Sequence, residues 1–234
     1  MVEDPPTGGP QSLVGIEVRR SFVMGRVYLI VGFAYTLVFE TIFVLTGGPT
    51  FSTTVPLLLP IFAVVGGMGA LSVFTSDRIK GVLEYLMAYG ITPRRIFLDI
   101  LGAGMVLVTL ILGVNLVYGV GLWVARTHAL PVPFLELALV YTVPMSYVSV
   151  AFATTVGMYW TALSSPRAGM GGPIGLIPLI GILPSVLMLA ALGVIPGSRL
   201  EVLGAGVLVF VLVVVVLLRS MDRLLPRERL LSPA

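Results

Sequence analysis

The chain has 234 residues, 57% of them hydrophobic and 11% charged, with a mean hydropathy of +1.07. A soluble domain is closer to about a quarter charged, so the composition excludes an ordinary soluble fold and points to a membrane protein with several spans. The net charge of +3 sits at the ends of apolar runs, which argues against a nucleic-acid face, and the lack of cysteine excludes disulfides and thiolate metal sites.

Residues 1–12, MVEDPPTGGPQS, read as a flexible polar tail with no cleavable leader. The next stretch, LVGIEVRRSFVMGR (13–26), mixes apolar residues with Glu17, Arg19, Arg20 and Arg26. It suits an interfacial helix on the inner leaflet, with Arg19 and Arg20 as anchors at headgroup level. The other reading is a helical extension of the first span.

A spanning helix needs about 20 mostly apolar residues. Six stretches qualify: residues 27–46, 54–76, 96–125, 134–163, 173–193 and 200–219. Together they define an all-α six-span domain over 27–219, followed by a C-terminal tail over 220–234. Pro144 is expected to kink the fourth span. Pro173, Pro178 and Pro184, with Pro196 beyond, suggest that residues 174–198 form a broken helix and a short re-entrant piece.

Arginine and lysine in the short loops set the orientation. With the N-terminus inside, the inner side carries Arg19, Arg20, Arg26, Arg78, Lys80, Arg94, Arg95, Arg167, Arg219, Arg223, Arg227 and Arg229. The outer side carries only Arg126 and Arg199. Both termini and Gly81 are then expected in the cytoplasm, with Gly48 and His128 outside.

The connection between spans two and three is unusually charged. On a helical wheel, Ile79, Val82, Leu83, Leu86, Met87 and Gly90 of residues 77–90 share one arc. Asp77, Arg78, Lys80, Gly81, Glu84, Tyr85 and Ala88 share the other. Thr92 and Pro93 supply an N-cap and a first-turn proline for the next helix, with Arg94 and Arg95 as inner-interface anchors. A helix lying on an anionic leaflet would use basic residues alone. Asp77 and Glu84 give this one mixed sign, which suits a protein partner.

The stretch DRIKGVLEYLMAYGITPRRIF, from Asp77 to Phe97, resembles the cytoplasmic loop of ABC-2 type transporter permeases, the membrane subunits of a class of ATP-driven exporters. Gly81, Leu83, Glu84, Leu86, Thr92, Arg94, Ile96 and Phe97 match the family pattern. Val82 stands where threonine is usual, and Gly90 where proline is usual. The resemblance implies that residues 77–92 are a coupling helix that docks on a separate ATPase subunit through Asp77, Arg78, Lys80, Gly81, Leu83, Glu84 and Leu86. It also implies a second permease copy or paralogue, ATP and magnesium held by the ATPase, and a multi-pass cell-membrane location.

The chain itself has no phosphate-binding loop, because its one lysine, Lys80, lacks the glycine-rich context. A single histidine, His128, rules out H-E-x-x-H and makes a poor metal site even with Glu136 nearby. No G-x-S-x-G is present. An exporter permease is therefore expected, not an enzyme. A secondary transporter or a membrane scaffold remains the alternative.

Glu40 lies about 9 Å inside the first span at 1.5 Å per residue. A carboxyl at that depth is a functional candidate. The other reading is a protonated acid bonded to Thr36 or to another helix. Thr36, Glu40 and Asn115 are the candidate translocation path. Asn115, Tyr118, Ser146, Ser149 and Thr155 also suit interhelical hydrogen bonds, and Gly66 with Ala70 or Gly171 with Gly175 suits either packing or a dimer seam. The aromatic first span, with Phe33, Tyr35, Phe39 and Phe43, favours a lipid-like or amphipathic cargo over a sugar.

Overall fold

A computed structural model describes residues 13–46, 49–163, 177–194 and 199–224. These form helices α1 (Leu13–Met24), α2 (Arg26–Thr46), α3 (Pro49–Ile79), α4 (Val82–Ala88), α5 (Pro93–Thr127), α6 (Val132–Leu137), α7 (Val143–Leu163), α8 (Ile177–Val194) and α9 (Arg199–Leu224). No strand occurs among the described residues. Four helical segments are long and apolar enough to cross a membrane: Arg26–Thr46, Thr54–Ile79, Pro93–Thr127 and Val132–Thr161.

α3 is the hub, packed by α2, α5, α7 and α8. It contains Pro56 and Pro60 yet stays helical. Pro60 has no N–H to give to the carbonyl four residues back. That carbonyl, on Pro56, accepts instead from Thr142 Oγ1 at 2.8 Å, so the buried acceptor is satisfied across helices.

α2 and α3 approach closely because both faces lack side chains there. A Cβ on Gly32 would lie 3.3 Å from the Gly66 Cα. Ala70 is fully buried. Gly66 and Ala70 are thus spent on packing within the chain, and a dimer seam through them is not what the fold shows. Gly171 and Gly175 lie outside the described residues. Gly25 is tighter still. A methyl there would meet the Gly69 Cα and sit 2.7 Å from the Ser21 carbonyl and 3.0 Å from the Gly69 carbonyl carbon. Gly25→Ala is expected to destabilise the protein by about 1–3 kcal/mol, the usual range for overpacking. Gly113→Ala, which meets nothing within 4 Å, is expected to be neutral or slightly stabilising. Melting temperatures of the two variants in one detergent check this pair, and equal losses would refute the close crossing.

The fourth apolar stretch carries its irregularity where proline foretold it. Residues Ala138–Thr142 form one π-helical turn, and the Val143 amide bonds back to the Ala138 carbonyl. Pro144 follows at once and withholds the next donor, so the ladder slips by one residue there. The expectation of a broken fifth span needs correction. Over Ile177–Val194 the chain is one continuous helix that includes Pro184. Residues 174–176 and 195–198 lie outside the described residues.

The first helix is separate from the second. The chain bends at Gly25 between α1 and α2, and α1 lies mainly against α3 and α5. It is therefore not a simple extension of the first span.

Candidate functional site

The charged connection folds differently from a single amphipathic helix. α3 continues through Ile79, and the chain then turns at Lys80–Gly81. Gly81 takes φ 71°, a left-handed conformation that costs little without a Cβ. α4 starts only at Val82. Because α3 keeps its own phase to its end, Ile79 is 51% exposed and does not join the inward arc.

Asp77 is corrected most strongly. The wheel put it on the exposed arc, yet it is only 2% exposed. Arg20 of α1 grips it with both guanidinium nitrogens: Nη1 donates to Oδ2 at 2.8 Å, and Nη2 pairs with Oδ1. The same Nη1 donates to Glu17 Oε1 at 3.0 Å. Arg20 is therefore an internal ion-pair partner and not a free headgroup anchor. Arg19, Arg94 and Arg95 are exposed. The hydrogen bond that Arg20 donates to Asp77 is the main cause holding its guanidinium above the ordinary range. Burial pushes the Glu17 carboxyl up, against the pull of Arg20, and Glu17 Oε2 is buried with no hydrogen-bond partner among the described residues.

α4 is short but firmly set. Leu83 and Met87 enter the main core beside Phe74, Phe97 and Ile100. Phe97 meets Phe74 edge-on at 5.1 Å between ring centres. Gly90, φ 83°, ends the helix. Its amide bonds to the Met87 carbonyl at 3.1 Å, and the Ile91 amide to the Leu86 carbonyl at 3.1 Å. This is the Schellman pattern, in which the residue past the glycine packs on the last turn; Leu86 and Ile91 both pack on the core. Glycine thus makes the turn that ends α4. Thr92 then caps α5 as expected, its Oγ1 accepting from the Arg95 amide at 3.4 Å, with Pro93 in the first turn.

The outward face of α4 shows Lys80, Glu84, Tyr85 and Tyr89. Arg78 beside them is half-buried. Tyr85 and Tyr89 are 61% and 70% exposed. Their rings lie 4.6 Å apart, and the Tyr85 hydroxyl donates to that of Tyr89 at 3.0 Å. The wheel noted Tyr85 only as polar and missed Tyr89. The i, i+4 spacing of two tyrosines was the available signal.

The second candidate lies in the other half of the bundle. Glu40 is fully buried, and neither of its carboxyl oxygens has a hydrogen-bond partner among the described residues. Thr36 does not bond it, because Thr36 Oγ1 donates to the Gly32 carbonyl at 2.7 Å. Both line a small cavity of about 10 Å³ between α2 and α3. On its far side Glu40 faces bare α5 backbone: a Cβ on Gly119 would lie 3.4 Å from the carboxyl carbon. Asn115, one turn earlier on α5, is buried too. Its amide donates to the Ile111 carbonyl of its own helix at 2.7 Å, and its Oδ1 has no partner among the described residues, so within them it does not bridge helices. Tyr118 does bridge, to Thr41 Oγ1 at 2.7 Å, and Ser149 meets Ser185 at 3.0 Å. Ser146 bonds the Thr142 carbonyl of the preceding turn.

No family model, curated protein or solved structure matches this chain.

Proposed function

We propose that this chain is the permease subunit of an ABC-2 type exporter in a cell membrane. In this reading six helices span the bilayer, α8 and α9 being the fifth and sixth, and both termini are cytoplasmic. A second copy or a paralogue completes the translocation path. A separate ATPase subunit, holding ATP and magnesium, drives it.

The observation that carries the proposal is the build of α4. A helix that merely lay on lipid would turn its apolar residues outward to the acyl chains. This one turns Leu83 and Met87 into the protein core. It offers Glu84 and two tyrosines in contact, Tyr85 and Tyr89, outward. Exposed tyrosines beside a charge are the composition of an interface hot spot. Helix α4 also sits at the end of the molecule that holds Arg19, Arg94 and Arg95, the end the charge bias puts in the cytoplasm.

The cysteine-free chain makes a direct test. Tyr89→Cys and His128→Cys are expected to label from opposite sides: His128→Cys with an impermeant maleimide on intact cells, Tyr89→Cys only after permeabilisation. A cysteine-reactive cross-linker at position 89 is expected to capture a polypeptide that carries a phosphate-binding loop. Labelling at 89 on intact cells, or cross-links to lipid alone, would defeat the proposal.

A further inference from the structure

The carboxyl of Glu40 has no counter-charge among the described residues. The arginines of the three helices around it lie at helix ends: Arg26 on α2, Arg78 on α3, and Arg94, Arg95 and Arg126 on α5. Arg26 is fourteen residues away, about 21 Å along the helix. Arg126 is seven residues past Gly119, about 10 Å along α5, and is exposed. A carboxylate out of water needs a proton or a positive partner.

The cavity wall says which partner it suits. Three phenylalanines, Phe39, Phe43 and Phe62, line it together with Glu40. Phe39 stands between the other two, 5.4 Å from Phe62 and 6.2 Å from Phe43 between ring centres. All three are half-buried. Among the described residues that line the space only Thr36 carries a hydroxyl, and it donates to the Gly32 carbonyl. A metal ion would want several oxygen ligands, which this wall does not provide. An ammonium group is different. It pairs with one carboxylate, and its methyl or methylene groups lie well on aromatic faces.

We propose that Glu40 and the Phe39–Phe43–Phe62 wall form a binding site for the head of a lipophilic monocation, an alkylammonium whose chain lies along the groove between α2 and α3. In the state described the cavity holds about one water-sized group. Entry of the head therefore requires the half-buried rings to rotate outward, towards the side from which a membrane-dissolved molecule arrives. The site rests on the transport reading for its purpose, since it names the class of cargo. Its test does not need the ATPase, so a failure here and a failure of docking are read separately.

Dodecyltrimethylammonium, radiolabelled in its head, is the probe. Equilibrium dialysis with the purified chain in excess dodecyl maltoside measures binding. The neutral detergent carries the same alkyl chain, so it removes binding due to the chain alone. Saturable binding to wild type is expected, weaker by about thirtyfold or more in Glu40→Gln, as for loss of one partner of a buried charge pair. Phe62→Leu is expected to weaken it about threefold or more, the share of one cation–π face. Competition by phosphatidylcholine but not phosphatidylglycerol would assign the site to a lipid head. Competition by neither would assign it to a free amphiphilic amine. If Glu40→Gln does not elute as a folded species, Phe62→Leu and Phe39→Leu carry the comparison. Equal binding in folded Glu40→Gln, or none in folded wild type, would show that the carboxyl holds only a proton and would overturn the proposal.

Discussion

Arg20→Ala is expected to cost the folded protein about 3 kcal/mol, near the low end for breaking a buried ion pair. The substitution leaves Asp77, 2% exposed, with a charge and no partner. It also removes the tie between α1 and the last turn of α3, residues 57 positions apart in sequence. The cost sits at the low end because the Arg20 side chain is itself 29% exposed. Replacing both members by apolar residues, Arg20→Met with Asp77→Leu, is expected to recover most of the loss, because neither charge is then stranded. A double-mutant cycle on thermal or denaturant unfolding in detergent measures the coupling. Additive effects would mean that the pair does not hold α1.

Glu17 is expected to behave in the opposite way. Burial raises its carboxyl pKa. A folded-state pKa above the unfolded value favours folding at low pH, and that contribution is lost as pH rises through the folded value. Glu17→Gln, which keeps the neutral form, is therefore expected to lessen the loss of stability as pH rises, read from unfolding of the two proteins across a pH series.

On the proposed exporter reading, Glu84→Arg is expected to abolish recovery of an ATPase subunit with this chain while leaving the chain folded. Glu84 is exposed and makes no core contact, so the fold tolerates the change. At an interface, removing one member of a desolvated charge pair costs about 2–5 kcal/mol, and reversal adds repulsion. A solvated surface charge is worth little, and an anionic leaflet would welcome the arginine. Docking and membrane contact thus predict opposite signs. Pull-down by wild type and Glu84→Arg at matched salt, with unchanged melting of the variant, decides between them; equal recovery would remove α4 as the docking element. Arg20→Ala would blur this result, since Asp77 lies only five residues before Val82 and its anchoring fixes where α4 leaves the bundle. The two variants therefore need separate stability controls.

What the sequence determined by itself is local or compositional. Apolar runs gave the long helices within a few residues of their ends, because run length and helix rise are both readable along the chain. Thr92 with Pro93 gave the start of α5, and Pro144 marked the slip in the fourth apolar stretch, because caps and missing donors act within one or two turns. What only the tertiary structure decided depends on which faces of distant helices meet. The wheel for residues 77–90 assumed one unbroken helix, whereas the left-handed turn at Gly81 restarted the phase and left Asp77 in the end of α3. Its burial then depended on Arg20, a partner no periodicity could name. The same holds for Gly25 and Gly32 against Gly69 and Gly66, where close approach is a property of the pair of helices. It holds for Glu40 as well. Sequence placed a carboxyl inside an apolar helix, but only the packing of α2 against α3 and α5 surrounded it with three phenyl rings and a bare glycine backbone, and so left it without a partner among the described residues.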